Sequence, residues 1–309
     1  IMSCMNVIDL FAGMGGLASG FAKEGFTVVG YDINPLSKEI FKINKIGNLI
    51  VQNLLKETII EHADIIIGGP PCRPWSCINV TRRGSKHPDY KLLDRFFKYV
   101  LEMKPVAFLM ENVLPLKSDC KFEKWMNIVR KSGYFTRYRT VKYSDFGAAT
   151  SRRRLIITGF IDKTFAEEFF LKLEEYRAKP RTVMEAIQPF LNIKKGGFPD
   201  HEWPELKTIK KYEHYYRTGK FGWYRLNPDR PAPSFGNVMK TYILHPFAGV
   251  NGIPMRVISI REAMSIMGFD MDFKFPSGSG MTIRYQMVSD AVSPIFSQVC
   301  AKIIKKVLK

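Results

Sequence analysis

The chain has 309 residues, 46 % of them hydrophobic, which is enough to bury a large core in one domain or two. Its 47 Lys and Arg against 29 Asp and Glu give a formal net charge of +18, and the stretch 71–160 alone holds 19 basic against 7 acidic side chains, the electrostatic footprint of a polyanion binder. No apolar run approaches a membrane span, no leader peptide is expected before the first predicted strand, and Cys4, Cys72, Cys77, Cys120 and Cys300 show no paired spacing, so free thiols, a reducing cytoplasmic setting and no metal site are expected.

Val7–Phe11 reads as a buried strand, and Gly13, Gly15 and Gly16 then open a helix to about Glu24. Thr27–Tyr31 is a second strand, ending at Asp32. Pro35 sits where a first helical turn accepts it, and that helix runs towards Asn44. Leu49–Gln52 and Asp64–Ile67 are further strands. Leu92–Met103 is an amphipathic helix, Val106–Met110 a fifth strand, and Phe122–Ser132 a helix closed by Gly133. Tyr138–Tyr143 and Leu155–Thr158 read as late strands. Strands alternating with helices predict an α/β fold with a mostly parallel sheet covered on both faces. Residues 192–258 are rich in Gly, Pro, aromatics and Lys, with little helical period, and read as a smaller, loop-rich domain. Regular pattern returns at Ile260–Met267, and the chain ends in a helix with Ile295, Phe296, Val299, Ile303, Ile304 and Val307 on one face.

Three segments carry chemistry. In Gly68-Gly69-Pro70-Pro71-Cys72 a buried strand ends in a stiff platform that presents one thiol at its carboxyl end. Ligands of open α/β sheets bind at that edge, and a thiolate is the readiest side-chain nucleophile. Asp9-Leu10-Phe11-Ala12-Gly13-Met14-Gly15-Gly16 follows a strand and opens a helix, so backbone can approach a ligand closely there. Asp32, ending the next strand, is placed to accept hydrogen bonds from a ribose; capping the following helix is its alternative role.

In this order the segments resemble the DNA (cytosine-5) methyltransferase family over most of the chain, excluding about 192–225. Asp9–Phe21 is similar to the family's cofactor loop, Pro70-Pro71-Cys72 to its nucleophile loop, and Glu111-Asn112-Val113 to its catalytic glutamate motif. Asp145-Phe146-Gly147 with Arg152-Arg153-Arg154 is similar to its arginine motif. Arg261-Glu262-Ala263 with Gly268-Phe269 resembles the helix after the recognition region, and Tyr285–Pro294 the last motif.

The resemblance implies a class I S-adenosylmethionine-dependent methyltransferase fold, a Rossmann-like mixed sheet, with a second, smaller target-recognition domain. The catalytic domain is drawn as 1–180 plus 259–309, and the recognition domain as 181–258. The implied function is methyl transfer from S-adenosyl-L-methionine to carbon 5 of cytosine in a specific duplex DNA sequence, as in bacterial restriction-modification systems. Cys72 would add to carbon 6 of a flipped base, raising electron density at carbon 5. Glu111, holding a proton through partial burial, would contact ring nitrogen 3, and Arg152 and Arg154 the base's carbonyl oxygen. Arg153 is expected to face solvent or phosphate. Phe11, Gly13, Gly15, Gly16, Asp32, Asn53, Pro70 and Asp290 would line the cofactor site. Ser76, Arg82, Arg83, Lys86 and Lys91 would grip DNA from a basic loop. Lys194, Lys195, His201, Lys210, Tyr215, Arg217 and Trp223 are candidates for base readout.

Double-stranded DNA is the implied partner, with a cognate endonuclease in the same system, no membrane, and a monomeric state. A transfer-RNA cytosine methyltransferase of the same fold and a catalytically inactive DNA-binding relative remain as alternatives. The chain departs from the family's usual residues at Arg73 for Gln, Trp75 for Phe, Thr150 and Met267 for Gln, Asn53 for an acid, and Ser289-Asp290 for Gly-Asn. Asn53 can still offer a carbonyl oxygen to an adenine amine.

Overall fold

The apolar runs predicted as strands lie side by side in one seven-stranded sheet, seen in a computed structural model that describes residues 5–59, 61–76, 84–218, 222–250 and 252–308. Cys4, Cys77, Arg82, Arg83 and the side chain of Arg217 lie outside the described residues. In chain order the strands are β1 (Asn6–Leu10), β2 (Thr27–Asp32), β3 (Asn48–Val51), β4 (Ile65–Gly68), β5 (Ala107–Asn112), β6 (Phe135–Lys142) and β7 (Arg153–Phe160). Their spatial order is β3-β2-β1-β4-β5-β7-β6. The first five run parallel, and β7 is antiparallel to both β5 and β6. This is the mixed sheet of the class I methyltransferase fold. Strand order reverses at β1, which pairs with β2 on one side and β4 on the other. The Gly-rich turn and the Pro-Pro-Cys loop therefore leave the sheet from neighbouring carboxyl ends, where α/β sheets bind ligands.

The helices are α1 (Gly16–Lys23), α2 (Pro35–Ile43), α3 (Leu92–Met103), α4 (Cys120–Lys131), α5 (Lys163–Glu175), α6 (Val183–Ile187), α7 (Thr208–Lys211), α8 (His214–Thr218), α9 (Val238–Thr241), α10 (Ile260–Met267), α11 (Met281–Asp290) and α12 (Pro294–Val307). Pro35 does open α2, and Asn34 caps it by accepting the Leu36 N–H at 3.1 Å. α5 is absent from the predicted elements, although Asp162 caps it through the N–H groups of Thr164 and Phe165. β6 begins earlier than predicted: its side chains alternate between buried and exposed, and outward Arg137 and Arg139 mask the strand pattern of a sheet edge.

The chain divides into two compact units. The first comprises residues 1–142, 153–177 and 296–309, and contains the whole sheet. Ile8, Leu10, Ile66, Phe108, Met110, Leu155 and Ile157 on one sheet face pack with Phe96, Phe97, Met126 and Val129 of α3 and α4. The second comprises 143–152 and 178–295. There the Ala149 N–H donates to Ile266, the Ser151 N–H to Ala232 and the Ala178 N–H to Asp145, at 3.1, 2.7 and 2.8 Å. These bonds group 143–152 with the smaller unit, and residues 259–295 fall there too. The boundary drawn from sequence at 181 and 258 follows composition, which does not register such pairing. The apolar stretch Met281–Val307 is long enough to span a membrane, but 67 % of its most apolar window is buried inside the protein, as in a core helix.

Within the first unit, α1 and α12 meet backbone to backbone. Ser297 Oγ donates to the Leu17 carbonyl, and a methyl group on Gly20 would overlap Ser297 and Gln298. In an exposed helix Gly→Ala stabilises by about 1 kcal/mol. Here the overlap outweighs that gain, so Gly20→Ala should lower the unfolding free energy by about 1–3 kcal/mol. Urea denaturation checks this; a stabilised variant would contradict the packing.

Candidate active site

β4 is wholly buried, and the chain leaves it through Gly69, Pro70 and Pro71 to a half-buried Cys72. The Cys72 carbonyl accepts the N–H groups of Trp75 and Ser76, both at 2.9 Å, so the nucleophile candidate opens a tight turn. Asn112, the last residue of β5, donates its side-chain amide to the Pro70 carbonyl at 3.0 Å. The platform is thus tied to the next strand by a buried bond.

Strand geometry delivers the neighbouring carboxylate and guanidinium. In the antiparallel β5–β7 pair Glu111 faces Ile156 and Asn112 faces Leu155. Alternation turns Glu111 and Arg154 to the same face, one diagonal step apart, within reach of long side chains. Arg154 Nε lies 2.7 Å from Glu111 Oε1, with both side chains about nine-tenths buried. Arg154 Nη1 also donates to the Arg153 carbonyl at 2.7 Å. Arg153, one step out of phase, is exposed as expected. The nucleophile loop passes over the pair: a methyl group on Gly69 would sit 3.4 Å from Glu111 Oε2. Cys72's loop, Glu111, Asn112 and Arg154 therefore converge within the first unit. Arg152 is buried in the second, where its carbonyl accepts the Tyr143 N–H at 3.0 Å.

At the end of β1, Phe11 takes φ 63°, and Gly13 and Gly15 take φ 55° and 82°. A bulky residue in the left-handed region is strained, and such strain marks binding loops. Gly15 and Gly16 follow into α1, whose N-cap makes no side-chain hydrogen bond, leaving first-turn N–H groups for a ligand. Asp32 bonds loop backbone on either side of it: Oδ2 accepts the Gly13 N–H and Oδ1 the Asn34 N–H, each at 2.8 Å, while Asn34 and not Asp32 caps α2. Asp32 braces the glycine turn while keeping further lone pairs for hydroxyl donors. Burial raises its carboxyl above the usual range, against those hydrogen bonds.

Asp9 lies on the sheet face opposite Ile8 and Leu10 and is 1 % exposed. Among the described residues neither of its oxygens makes a full hydrogen bond, though the Ala18 N–H gives partial compensation. Burial first, and the charge of Asp32 second, push the Asp9 carboxyl up to about 8. Sequence reading placed Asp9 in the motif but gave it no role; its signal is an acid at a core-facing strand position. Asn112 was passed over likewise, as was Ile33, an apolar side chain 66 % exposed beside Asp32.

Other candidates lie as follows. Asn53 folds on itself, its Oδ1 accepting the Leu55 N–H at 3.0 Å and its N–H meeting Glu57 at 3.2 Å. Ser76 is half-buried, and Lys86 and Lys91 are exposed on short 3₁₀ turns before α3. In the second unit, Asp290 is exposed and accepts from Gln286 at 2.9 Å. His201 is fully buried between Ser259 and the Ile193 carbonyl, so it is a core group and not a base reader. Lys195 pairs with Glu205 at 3.1 Å, and Trp223 stacks on Tyr242 at 4.4 Å; Lys194 and Lys210 are exposed and Tyr215 half-buried.

A family model described as C-5 cytosine-specific DNA methylase matches residues 5–309. The chain belongs to this family. It is a DNA (cytosine-5) methyltransferase. The methylase is 25 % identical to the putative type II methyltransferase M.MJ0563P of Methanocaldococcus jannaschii, over 98 % of this chain and 100 % of that one. It is 27 % identical to the type II methyltransferase M.FnuDI of Fusobacterium nucleatum, over 98 % and 95 %. Its fold matches that of a putative DNA modification methyltransferase from an E. coli prophage, with TM-score 0.71, 23 % identity and coverage of 98 % and 99 %. Entamoeba histolytica EhMeth gives TM-score 0.74 at 20 % identity, with both chains fully covered.

Asp9 generates a prediction. Its folded pKa of about 8 lies above the ordinary 3.8, so the folded methylase holds a proton that the unfolded chain has lost. Its contribution to stability is complete below about pH 4 and is lost as pH rises through 8. Asp9→Asn, which cannot ionise, should gain stability relative to the parent across that window. Urea midpoints of both proteins from pH 5 to 9 check this; parallel profiles would contradict a neutral Asp9.

Proposed function

We propose that the methylase transfers a methyl group from S-adenosyl-L-methionine to carbon 5 of cytosine within a specific duplex DNA sequence, through a covalent adduct of Cys72 with a flipped base. The convergence of the Cys72 loop with the buried Glu111–Arg154 pair carries the reading. A thiol alone is a common core residue. A thiol on a proline platform beside a fixed carboxyl and guanidinium has the parts that activate an electron-poor ring.

The residues present fit the cofactor. The strained Phe11–Gly15 turn offers backbone N–H groups, Asp32 retains acceptor capacity for a diol, and exposed Ile33 offers an apolar face for an adenine ring. Gly16, Asn53 and Pro70 border the same strand ends, and Asp290 is assigned to the cofactor through the motif resemblance alone. When bound, S-adenosyl-L-methionine supplies an electrophilic methyl group.

In the proposed reaction, Cys72 Sγ bonds to carbon 6 and the ring's electron pair moves towards carbon 5. The Glu111 carboxyl gives a proton to ring nitrogen 3, which balances the charge brought by the Cys72 thiolate. Arg154 holds Glu111 through Nε and turns its remaining nitrogen to the base carbonyl; Arg152 is assigned to the same oxygen. Once carbon 5 carries the methyl group, water takes its proton, the bonding pair re-forms the carbon 5–carbon 6 double bond, Cys72 leaves as thiolate, and nitrogen 3 returns its proton to Glu111. Duplex DNA hides these atoms, so the base must leave the stack. The second unit would read the target sequence. Similarity to type II methyltransferases supports a modification enzyme; its action in the cytoplasm, as a monomer and alongside a restriction endonuclease, is part of the same proposal.

Bisulfite sequencing of plasmid DNA from cells expressing the protein tests this reading. Full methylation at one short motif is expected, with none for Cys72→Ala and a rate about 10²–10⁴-fold lower for Glu111→Gln. Unmodified DNA with methylated transfer RNA would overturn it. Binding to duplex DNA should weaken steeply with salt, and Lys86→Ala with Lys91→Ala should flatten the log–log slope by about 0.9 per lost phosphate contact. An unchanged slope would place these lysines off the DNA.

A further inference from the structure

The side chain three positions after the nucleophile candidate is anchored. Trp75 is 6 % exposed, and its indole Nε1 donates to Asp119 Oδ2 at 2.7 Å. Asp119 is the N-cap of α4, where its Oδ1 accepts the Lys121 N–H at 2.8 Å. The same Oδ1 accepts the Tyr90 hydroxyl, also at 2.8 Å. Tyr90 lies in the 3₁₀ turn Pro88–Lys91, on the far side of the segment that starts at Cys72. Between them the Gly84 N–H donates to the Pro74 carbonyl at 2.8 Å. One carboxylate therefore receives both side chains that flank the segment, and their rings lie 5.6 Å apart.

This carboxylate is itself well supported. Lys121 sits 3.8 Å over the Tyr90 ring and pairs with Asp94 at 2.7 Å, and Asp94 also accepts the Trp125 indole at 2.7 Å. Capping α4 needs one acceptor atom. Asp119 uses its second oxygen on Trp75 alone. A phenylalanine would pack here without any polar demand, whereas a buried indole N–H requires a partner. The pair Trp75–Asp119 is therefore a constraint on the turn Cys72–Ser76 beyond what packing needs.

We propose that Asp119 is a positioning residue for Cys72: through Trp75 it fixes the turn that holds the thiol, and through Tyr90 it fixes the other end of the same segment. The proposal rests on the reading of Cys72 as nucleophile. It makes the reactive geometry depend on a helix that carries none of the reacting groups.

Trp75→Phe, Asp119→Asn and the double variant test it. Asn keeps the capping acceptor but presents an N–H where Oδ2 met the indole, so α4 stays capped. Each single variant should lose about tenfold in kcat with KM for S-adenosyl-L-methionine unchanged, because a misplaced nucleophile slows chemistry and not cofactor binding. The double variant should match the single ones, since all three break one contact. Amide exchange at Trp75 and Ser76, whose N–H groups bond the Cys72 carbonyl, should speed up about tenfold in Trp75→Phe while exchange in the β1–β4 pairing is kept. Multiplying effects, or parental kcat and exchange in Trp75→Phe, would overturn the positioning role. Loss of methylation by the parent itself would instead count against Cys72, and the exchange measurement would still decide the anchoring.

Discussion

The register of β7 against β5 is the constraint on which the site depends. Because Glu111 faces Ile156, alternation brings Arg154 diagonally beneath the carboxylate, and the 2.7 Å ion pair follows from strand geometry. A slip of β7 by one residue would turn Arg154 into the apolar face formed by Phe108, Met110, Leu155 and Ile157 and leave Glu111 alone on the other. That face cannot hold a guanidinium, so the core that stabilises the sheet also enforces the pairing. Removing one partner would leave a buried charge alone, a loss of about 3–5 kcal/mol. The pair is therefore an orienting device, since its net contribution to stability is small once desolvation is counted.

The same logic of neighbouring strand ends organises the rest. β1 and β4 pair in register from Val7 with Ile65 to Leu10 with Gly68, so the glycine turn and the Pro-Pro-Cys platform emerge together. Asp32 then braces the turn from β2, Asn112 braces the platform from β5, and Asp119 braces its far side from α4. Each brace is a side chain bonding to a loop from a regular element. Loops that must hold a nucleophile and a cofactor borrow their rigidity in this way. Asp9 is the exception, a buried acid held nearly without donors, and burial keeps it protonated instead of braced.

Most of the sheet was legible because its parallel strands are continuous apolar runs bounded by glycine or proline. Pro35 and Gly133 marked helix ends where the structure has them. β6 was legible only in its second half, since outward arginines on an edge strand hide its period. The candidate site residues Cys72, Glu111 and Arg154 were named through motif resemblance, but their mutual geometry was not legible. It depends on an antiparallel pairing between segments some forty residues apart, which no local pattern announces. The braces were missed for the same reason. Asn112, Asp119 and Trp75 look like a strand end, a helix cap and a core aromatic, and their second roles exist only across the fold. The unit boundary was displaced because residues 143–152 bond to Ala232 and Ile266, distant in sequence.

The central claim is a covalent bond from Cys72 to carbon 6 of cytosine. Duplex DNA with 5-fluorocytosine at the target position tests it most directly, because fluorine cannot leave carbon 5 as a cation and the adduct cannot resolve. Incubated with S-adenosyl-L-methionine, the protein should form a complex that survives denaturation, and mass spectrometry of its peptides should place the modified nucleotide on Cys72. A complex mapped to Cys77 or Cys120, or methyl transfer that proceeds with no trapped species, would contradict the account.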